Sequence, residues 1–371
     1  MNIVYIANTV IPSYQAHTVN MMNMCAAFAG LGHPTTLITS NRRLPGLPAA
    51  TDAWSFYGLE KNFSITRIPV FRMQRIPSLF SARALRSVPG RDALIVTRHL
   101  TVAARAVRRG HTAVYECYRP FRKKQKAALL RDLAQNERFR FVVISRALKS
   151  YWADALGSDV APFIHVIPAA TNPHRFTPTK QDTPSGSRQL RIGYIGSFCA
   201  GRGIDVISEL ARLDPENIYT LYGGSSTELD AWRRTVQDRK NIFFHGQIPN
   251  ADVAHVLGAA DILLMPYQPR VGIPGSSADT ARWMSPLKMF EYMAAGKSII
   301  ASDLPVLREV LHHGRNALLV PPDSPRDWLA AVRRLAGDPD LRRQIAEKAR
   351  QEAESTYSWD ARARKILDLL P

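Results

Sequence analysis

The sequence has few cysteines and no long apolar run, and both absences limit what the chain can be. Its 371 residues include three cysteines, Cys25, Cys117 and Cys199, and no CxxC pair. An odd, scattered set argues against a disulfide framework or a zinc site and favours a reducing compartment. No run of about 18 apolar residues could span a bilayer, and the N-terminus does not resemble a signal peptide. We therefore expect a soluble, cytoplasmic protein.

Acidic residues are nearly absent from one fifth of the chain. Residues 61–130 hold sixteen Lys or Arg against two acids, Asp92 and Glu116. Such a block would suit binding to an anionic lipid surface, a phosphorylated acceptor or nucleic acid. The alternative is a solvated face that binds no partner. No recognition helix, RNP-like aromatic motif or finger spacing supports nucleic acid.

One segment of this basic block favours the lipid interpretation. FRMQRIPSLFSARALRSV interleaves apolar with basic side chains, which is the composition of a segment that lies on a membrane surface. The residues concerned are Phe71, Leu79, Phe80, Leu85, Arg72, Arg75, Arg83 and Arg86. We predict peripheral contact with an anionic membrane, which would place the protein on the inner face of that membrane.

The chain is long enough for two domains, because a single core rarely serves more than about 250–300 residues. Both halves alternate short apolar runs with helical patterns, which predicts parallel sheets flanked by helices. The segment TPTKQDTPSGSRQ has linker composition. We predict an N-terminal domain over 1–176, a linker over 177–189, a C-terminal domain over 190–350, and a closing helix over 351–371 that packs back on the first domain.

The stretch SPLKMFEYMAAGKSIIASD, which begins at Ser285, predicts a helix followed by a buried strand. Ser285 suits the N-cap, Pro286 the first helical position and Gly296 the position just past the end. An apolar stripe through Phe290 and Met293 places Lys288 and Glu291 together on a neighbouring face. The alternative interpretation of this pair is an ordinary charge pair at a solvated helix edge.

Neither half has GxGxxG after its first strand, and there is no Walker A sequence, so the usual dinucleotide and P-loop fingerprints are unsupported. The second half instead has GSFCAGRGID at residues 196–205, a glycine-containing turn that opens a helix. Backbone N–H groups at a helix N-terminus, together with Arg202, suit a diphosphate. The alternative is a turn that is small only because it packs tightly.

Three segments occur in the order and spacing of family-4 retaining glycosyltransferases with the GT-B fold. They are IGYIGSFCAGRGIDVISELARL, NIFFHGQIPNADVAHVLGAADILLMPY and SPLKMFEYMAAGKSIIASDLPVLREVLHHGRNALLVPP. The resemblance covers the second domain nearly continuously and extends more loosely to the first, through VYECYR and HVIPAATNPHRF among others. It implies an α/β protein of two Rossmann-like, doubly wound domains that face each other across a cleft.

The resemblance also implies roles for individual residues. Glu291 would hold the ribose hydroxyls of a nucleotide-sugar donor, UDP- or GDP-linked, while Lys288 and Arg202 stabilise the leaving diphosphate. Neither a metal nor a further cofactor is implied. The residues expected to bind the donor are Gly196, Ser197, Gly201, Arg202, Gly246, Ser276, Ser277, Ser285, Lys288 and Glu291. The residues expected to act in transfer are Lys288, Arg202, Glu291, His17 and Tyr118.

The sequence departs from the family pattern at several positions. Trp283 stands where the family has its first glutamate, so this chain resembles the shorter SPxKxxEY form, and Ser197 replaces a basic residue. Sugar contacts would then come from the loop GIPGSSADT, for which a flexible surface loop is the alternative. Tyr118 aligns with a histidine of many relatives, and His17 and His99 are further candidates for that place.

The resemblance implies a hexosyltransferase that retains the anomeric configuration by front-face transfer, because no second carboxylate is available for a covalent intermediate. The expected acceptor is a saccharide, lipid-linked in view of the basic block, in polysaccharide or glycolipid assembly. Two alternatives remain open. A sugar-nucleotide epimerase of GT-B fold would share the cleft, and a catalytically inactive scaffold that binds membrane or nucleic acid would explain the charge and the missing glutamate.

Overall fold

The computed structural model describes the chain except for residues 43, 45, 46, 48–50, 70–76, 91, 122, 123, 178–188, 274, 275 and 371, and the side chains of 77, 78, 273 and 276–278. The described chain divides into two units. Unit 1 comprises Met1–Ala169 with Trp359–Pro371, and unit 2 comprises Ala170–Ser358. The predicted linker lies almost wholly outside the described residues, and the division falls before it, at Ala169.

Unit 1 contains a parallel sheet with the strand order β3-β2-β1-β4-β5-β6-β7. Its strands are β1 (Ile3–Ile6), β2 (Thr35–Ser40), β3 (Ser64–Ile68), β4 (Leu94–Thr97), β5 (Thr112–Cys117), β6 (Phe139–Val143) and β7 (Ile164–Val166). Its helices are α1 (Ala16–Gly30), α2 (Ala53–Tyr57), α3 (Pro77–Arg86), α4 (Leu100–Arg108), α5 (Lys124–Ala134) and α6 (Arg146–Leu156). The order reverses between β1 and β4, and ligands of doubly wound sheets bind beyond the carboxyl ends of the strands at such a switch point.

Unit 2 repeats this arrangement with the order β10-β9-β8-β11-β14-β15 and a separate antiparallel pair, β12-β13. Its strands are β8 (Arg191–Ile195), β9 (Ile218–Tyr222), β10 (Ile242–His245), β11 (Ile262–Met265), β12 (Gly272–Ile273), β13 (Ser276–Asp279), β14 (Ser298–Ser302) and β15 (Leu318–Val320). Its helices are α7 (Ile204–Leu213), α8 (Ser226–Thr235), α9 (Val253–Gly258), α10 (Leu287–Ala294), α11 (Pro325–Gly337) and α12 (Pro339–Thr356). The switch point of this unit lies between β8 and β11.

The last helix, α13 (Trp359–Leu367), belongs to unit 1. A buried ion pair holds it there, because the Arg362 guanidinium lies 2.6 Å from the Glu116 carboxylate of β5 and neither side chain is more than 2% exposed. Arg362 also donates to the carbonyl oxygen of Pro168 at 2.8 Å, and Tyr5 of β1 donates to Glu116. The predicted return to the first domain therefore starts at Trp359, whereas residues 351–356 still belong to α12.

The apolar runs predicted as strands are strands in the structure, since short, fully apolar segments can be buried on both faces of a parallel sheet. β3, by contrast, was not predicted. Its sequence SITRI is half polar and mostly exposed, which suits a strand at the edge of a sheet but gives no apolar run.

The basic block of residues 61–130 spans β3 to α5. Two of its four apolar candidates for membrane contact, Phe80 and Leu85, are only 2% and 4% exposed, so they pack inside unit 1. Leu79 is 47% exposed, while Phe71, Arg72 and Arg75 lie outside the described residues. Among the helices that the structure describes, none is long and apolar enough to cross a membrane.

Candidate functional site

Three glycines meet at the carboxyl ends of β8, β9 and β10. The N–H of Gly196 donates to Tyr222 O at 2.9 Å, and the N–H of Gly223 donates to Gly246 O at 3.1 Å. Gly196 has φ +149°, and a Cβ added there would lie 2.4 Å from Lys288 Nζ. The absence of a side chain at Gly196 therefore lets the lysine approach the end of β8.

The turn that follows, residues 196–203, packs closely on the chain after β11. A Cβ on Gly201, whose φ is +80°, would lie 1.8 Å from the carbonyl oxygen of Arg270. The Gly201 carbonyl accepts from Gln268 N at 2.9 Å, and Ala200 O accepts from Gly272 N at 3.0 Å. Tight packing by itself thus explains Gly201. The turn nevertheless leads directly into α7, whose N-terminal N–H groups face the carboxyl edge of the sheet.

Lys288, on the first turn of α10, is a buried cation without a hydrogen-bond partner. Lys288 is only 8% exposed, and its Nζ donates no hydrogen bond to any described atom. The Nζ lies 3.8 Å from the ring centroid of Tyr194 and 5.2 Å from that of Tyr267. Burial lowers the pKa of Lys288 well below its usual range, and the charge of Arg202 lowers it further. The alternative interpretation, a charge pair at a solvated helix edge, is therefore wrong for Lys288.

Arg202 lies beside Lys288 and binds the same ring system. Its Nη1 donates to the Tyr267 hydroxyl at 2.9 Å, its Cζ lies 5.1 Å from the centroid of that ring, and its Nη2 donates to Gly272 O at 3.4 Å. Its Nε is buried and has no partner among the described residues. Lys288 and Arg202 thus lie near the same Tyr267 ring, and an anion bound beside them would offset the repulsion between their positive charges.

Glu291, one helical turn beyond Lys288, is half-buried. Its Oε1 accepts from Asn250 Nδ2 at 3.4 Å, and Asn250 Oδ1 accepts from Arg175 Nη1 at 2.8 Å. Burial raises the pKa of Glu291, while Arg175, Asn250 and Lys288 each act to lower it. The carboxylate is therefore held by one hydrogen bond and retains free acceptor capacity for a ligand hydroxyl.

Four residues of the site were not predicted from the sequence, namely Arg175, Asn250, Tyr194 and Tyr267. All four stand in segments quoted for the resemblance, namely NPHRF, QIPN, IGYIG and LLMPY. Their contacts with Lys288 and Glu291 span 21 to 116 positions of the chain, so no local pattern pointed to them. The resemblance could have found them only through their place next to the strand ends.

The ends of α10 and the antiparallel pair β12–β13 contain further residues that the sequence predicted for the site. The helix has Pro286 as its N-cap, so the prediction of Ser285 as N-cap and Pro286 as the first helical residue is wrong by one position. Gly296 lies past the end in the left-handed region, with φ +62°, as expected. Ser276 and Ser277 lie on β13 of an antiparallel pair, and their side chains are outside the described part of the structure.

In unit 1 the predicted residues His17, His99 and Tyr118 gather around Arg98, at the carboxyl ends of β1, β4 and β5. His17 Nε2 lies 2.9 Å from Thr9 Oγ1. The Cζ of Arg98 lies 3.6 Å from the Tyr118 ring centroid. Burial lowers the pKa of His17 to about 4, and the charge of Arg98 contributes to that shift. Burial raises the pKa of Tyr118 to about 12, so its hydroxyl stays protonated at neutral pH.

The second unit matches a family of known proteins. Residues 204–368 match the family model described as "Glycosyl transferase-like". This range begins with α7, includes Lys288 and Glu291 and extends through α13, but it leaves out residues 1–203.

Two curated relatives show how far the similarity reaches. A D-inositol 3-phosphate glycosyltransferase of Corynebacterium jeikeium is 27% identical over 233 residues, which cover 56% of this chain and 52% of the relative. A phosphatidyl-myo-inositol mannosyltransferase of Mycolicibacterium smegmatis is 29% identical over 233 residues, which cover 61% of this chain and 55% of the relative. The chain thus spans about half the length of the curated relatives it matches.

A solved structure matches along nearly the whole chain. Anabaena HepE in complex with UDP-glucose has a TM-score of 0.72 and 15% sequence identity, and the match covers 99% of this chain and 98% of that one. At this identity the likeness concerns the fold. When the strands are numbered within each parallel sheet, both sheets have the order 3-2-1-4-5-6, followed by a seventh strand in unit 1. This order and the match together show that the chain has the GT-B fold, an α/β architecture of two Rossmann-like units.

Proposed function

We propose that the protein is a glycosyltransferase that moves a sugar from a nucleotide-diphosphate sugar to a saccharide acceptor. The observation that carries the proposal is the pair of basic side chains, Lys288 and Arg202, near the end of β8: Lys288 Nζ and Arg202 Nε are buried and have no hydrogen-bond partner among the described residues. Burying a cation without an anionic partner is costly. A diphosphate at this switch point would supply the missing negative charge, as anions do at helix N-termini.

In this proposal Glu291 holds the nucleoside. A half-buried carboxylate with one hydrogen bond already made can accept two further bonds from a vicinal diol. Asn250 and Arg175 hold the carboxylate in place through their chain of hydrogen bonds. Lys288 and Arg202 then stabilise the charge that develops on the departing diphosphate.

The transfer step itself follows from the groups available. The bond between the anomeric carbon and the diphosphate oxygen breaks with its electron pair on the diphosphate, and the acceptor hydroxyl oxygen bonds to the same face of that carbon. The acceptor proton passes to a diphosphate oxygen. Tyr118 stays protonated at neutral pH because its pKa is raised, so it does not act as a base. The product retains the donor's anomeric configuration.

Binding of the donor can be tested without knowing the acceptor. Thermal unfolding and calorimetry of the full chain with UDP, GDP and their sugars should identify one nucleotide that stabilises the folded state, by about 2.7 kcal/mol at a ligand concentration 100 times Kd. Glu291→Gln should weaken binding about tenfold or more, since hydrogen bonds to charged groups contribute about 1.5–3 kcal/mol. The exposed Glu216 of unit 2 provides the matched control, Glu216→Gln, which should bind like the wild type.

Transfer and its stereochemistry need the purified product. Incubation with donor and saccharide acceptor should release nucleoside diphosphate in step with glycoside, and NMR coupling constants of the new linkage should show the donor's anomeric configuration. Activity that persists in EDTA supports the proposal that protein cations alone stabilise the leaving group. Conversion of the donor without nucleotide release would instead identify an epimerase, and membrane binding without nucleotide binding would identify a scaffold.

The proposal includes a lipid-linked acceptor at an anionic membrane. Its support is the basic block of residues 61–130 and the exposed Leu79 beside Arg86 on α3. Co-sedimentation with phosphatidylglycerol vesicles should exceed that with phosphatidylcholine vesicles and fall as salt rises. Leu79→Ser with Arg86→Gln should weaken it, while Arg326→Gln on α11 should not. Full activity on a water-soluble acceptor without vesicle binding would contradict this part of the proposal.

A further inference from the structure

The polar cluster of unit 1 contains a cation that nothing nearby neutralises. Arg98 follows β4 and is half-buried, and among the described residues no carboxylate lies within ion-pair distance of it. Glu116 of β5 is close to Tyr118 but is engaged with Arg362 at 2.6 Å. The Cζ of the guanidinium lies 3.6 Å from the centroid of the Tyr118 ring, so the group is held against an aromatic face.

The same tyrosine contacts a buried side chain that has a hydrogen-bond donor without an acceptor among the described residues. Asn20 of α1 is 1% exposed. Its Oδ1 accepts from the Tyr118 hydroxyl at 3.0 Å, while its Nδ2 has no partner in the described structure. Buried amide groups nearly always find a partner, so an unused donor beside an unpaired guanidinium indicates that an acceptor group is missing.

The two histidines of the cluster add donors and little charge. His99 Nε2 accepts from the backbone N–H of Asn8 at 3.3 Å, which places the proton of the neutral ring on Nδ1. That Nδ1–H has no acceptor among the described residues. Burial lowers the pKa of both His17 and His99, and the charge of Arg98 lowers both pKa values further.

These groups lie at the switch point of the unit 1 sheet. Asn8 and Thr9 follow β1, Arg98 and His99 follow β4, and Tyr118 follows β5. The carboxyl edge of a doubly wound sheet is where such folds bind their ligands. A guanidinium, a buried amide N–H and an imidazole N–H at this edge of the sheet are complementary to a group with several anionic oxygens.

We infer that the cluster of Arg98, Asn20 and His99 binds an anionic oxygen group, a phosphate or a carboxylate. The inference rests on the proposed function only in one respect, namely that the group belongs to the acceptor. The acceptor would then carry its negative charge near the hydroxyl that receives the sugar. Lys126, whose charge also lowers the pKa of His99, adds to the attraction.

Binding of the anion can be measured without any donor or acceptor. The full chain, labelled with 13C at histidine, is titrated with inorganic phosphate and, separately, with acetate at pH 7 and constant ionic strength. The ring signals of His17 and His99, assigned from His17→Gln and His99→Gln, should shift and saturate in the millimolar range with one of the two anions. Whichever anion saturates identifies phosphate or carboxylate chemistry.

Two variants separate this site from other cationic sites. Arg98→Gln should weaken the saturable shift at least tenfold, and Asn20→Leu should weaken it as well. Arg108→Gln removes the same charge from an exposed position of α4, and Lys288→Met removes a cation of unit 2, so neither should change the shift. Shifts that stay linear with concentration, match those caused by chloride, or persist in Arg98→Gln would overturn the inference.

A second measurement covers the case in which Arg98→Gln disturbs the fold. Arg98→Lys keeps the charge but loses the planar, stacked group, and it should bind phosphate with intermediate affinity while its thermal unfolding remains that of the wild type. Once a transfer assay exists, Arg98→Gln should raise KM for a phosphorylated or carboxylated acceptor and leave the neutral analogue unaffected. Failure of nucleotide-sugar binding would sink the proposed function but leave the NMR titration valid, so the two outcomes are distinguishable.

Discussion

The ammonium nitrogen of Lys288 lies 3.8 Å from the ring centroid of Tyr194, so a helix and a strand of unit 2 meet through a cation and an aromatic face. Tyr194 stands on β8, two residues before the glycine turn, and its hydroxyl donates to Ser197 O at 2.9 Å. One side chain therefore holds both the turn and the lysine. Tyr194 is a positioning residue in the proposed function, because it acts through Lys288 and the turn.

Substitution of Tyr194 tests this relationship. Tyr194→Leu removes the ring and should weaken nucleoside diphosphate binding about 2- to 30-fold, since cation–π contacts contribute about 0.5–2 kcal/mol. Tyr194→Phe keeps the ring and should remain within about threefold of wild type if the Ser197 bond contributes about 0.5 kcal/mol. Calorimetry with the nucleotide that binds best measures both. Equal losses in the two variants would show that the hydroxyl, and not the ring, holds the lysine.

The buried pair of Glu116 and Arg362 predicts a large effect on stability. Glu116→Gln leaves Arg362 charged and unpaired in the core, so the free energy of unfolding should fall by about 3–5 kcal/mol. Arg362→Met should have a similar effect. The double variant Glu116→Gln with Arg362→Met should lose less than the sum of the two single losses, because the two residues interact. Urea denaturation monitored by tryptophan fluorescence gives all three values.

An exposed pair of the same unit serves as the control. Arg131 and Asp159 lie 3.0 Å apart with about half of each side chain exposed. Asp159→Asn should change the free energy of unfolding by less than about 1 kcal/mol, since water screens such pairs. If Glu116→Gln were as mild as this control, the pair would not be what anchors α13 to unit 1.

Gly201 is expected to tolerate no side chain. Its φ of +80° and the 1.8 Å approach of the Arg270 carbonyl oxygen to an added Cβ should make Gly201→Ala destabilising by more than about 1 kcal/mol. Gly337→Ala, at the end of α11 with nothing within 4 Å of the added Cβ, should be neutral or stabilising by up to about 1 kcal/mol. Thermal unfolding of both variants gives the comparison. A Gly201→Ala protein as stable as the wild type would contradict the close packing of the turn.

His17 predicts how the stability of the protein depends on pH. Its pKa falls from 6.5 to about 4 in the folded protein because of burial and the charges of Arg98 and His99. Between these values the unfolded chain binds more protons than the folded one, so the stabilising contribution is present above pH 6.5 and is lost as the pH falls toward 4. His17→Gln should therefore flatten the stability profile between pH 6.5 and 4 and leave it unchanged above pH 7. A profile with the same slope in both proteins would show that His17 titrates normally.

Arg98 provides a check on that assignment. Because its positive charge helps to lower the pKa of His17, Arg98→Gln should raise that pKa toward 6.5, as measured by NMR titration of the His17 ring. Arg108→Gln, an exposed change on α4, should leave it unaffected, because exposed charges are screened over about 10 Å at 0.1 M salt.

Much of the fold could be read from local patterns. Apolar runs such as IVYI and ILLM form buried parallel strands because every residue of such a strand meets a covering layer. β3 was not predicted because an edge strand needs no apolar run. The predicted start of α10 was one residue too early, since the helix begins at Leu287 with Pro286 as its N-cap. The GT-B fold was predicted from the resemblance to family-4 enzymes, because no local pattern specifies it.

The site was predicted unevenly for the same reason. Lys288 and Glu291 lie three apart on one helix, so their proximity followed from helix geometry alone. Arg98 and Tyr118 come together because β4 and β5, which they follow, are neighbours in the sheet. Arg175 and Asn250 come together because two short turns that are distant in sequence meet in unit 2. No spacing in the sequence signals such pairs.

By itself the sequence determined the buried strands of both units, the turn of residues 196–203, and the common helix of Lys288 and Glu291, because these depend on neighbours within a few residues. The tertiary structure decided that Lys288 is buried near Tyr194 and Tyr267, that Arg98 lies against the Tyr118 ring, and that Arg362 pairs with Glu116. Burial and charge pairing depend on which distant segments meet, and that is fixed by the packing of whole sheets and helices. The charge and pKa of each candidate residue therefore came from the fold and not from its place in the chain.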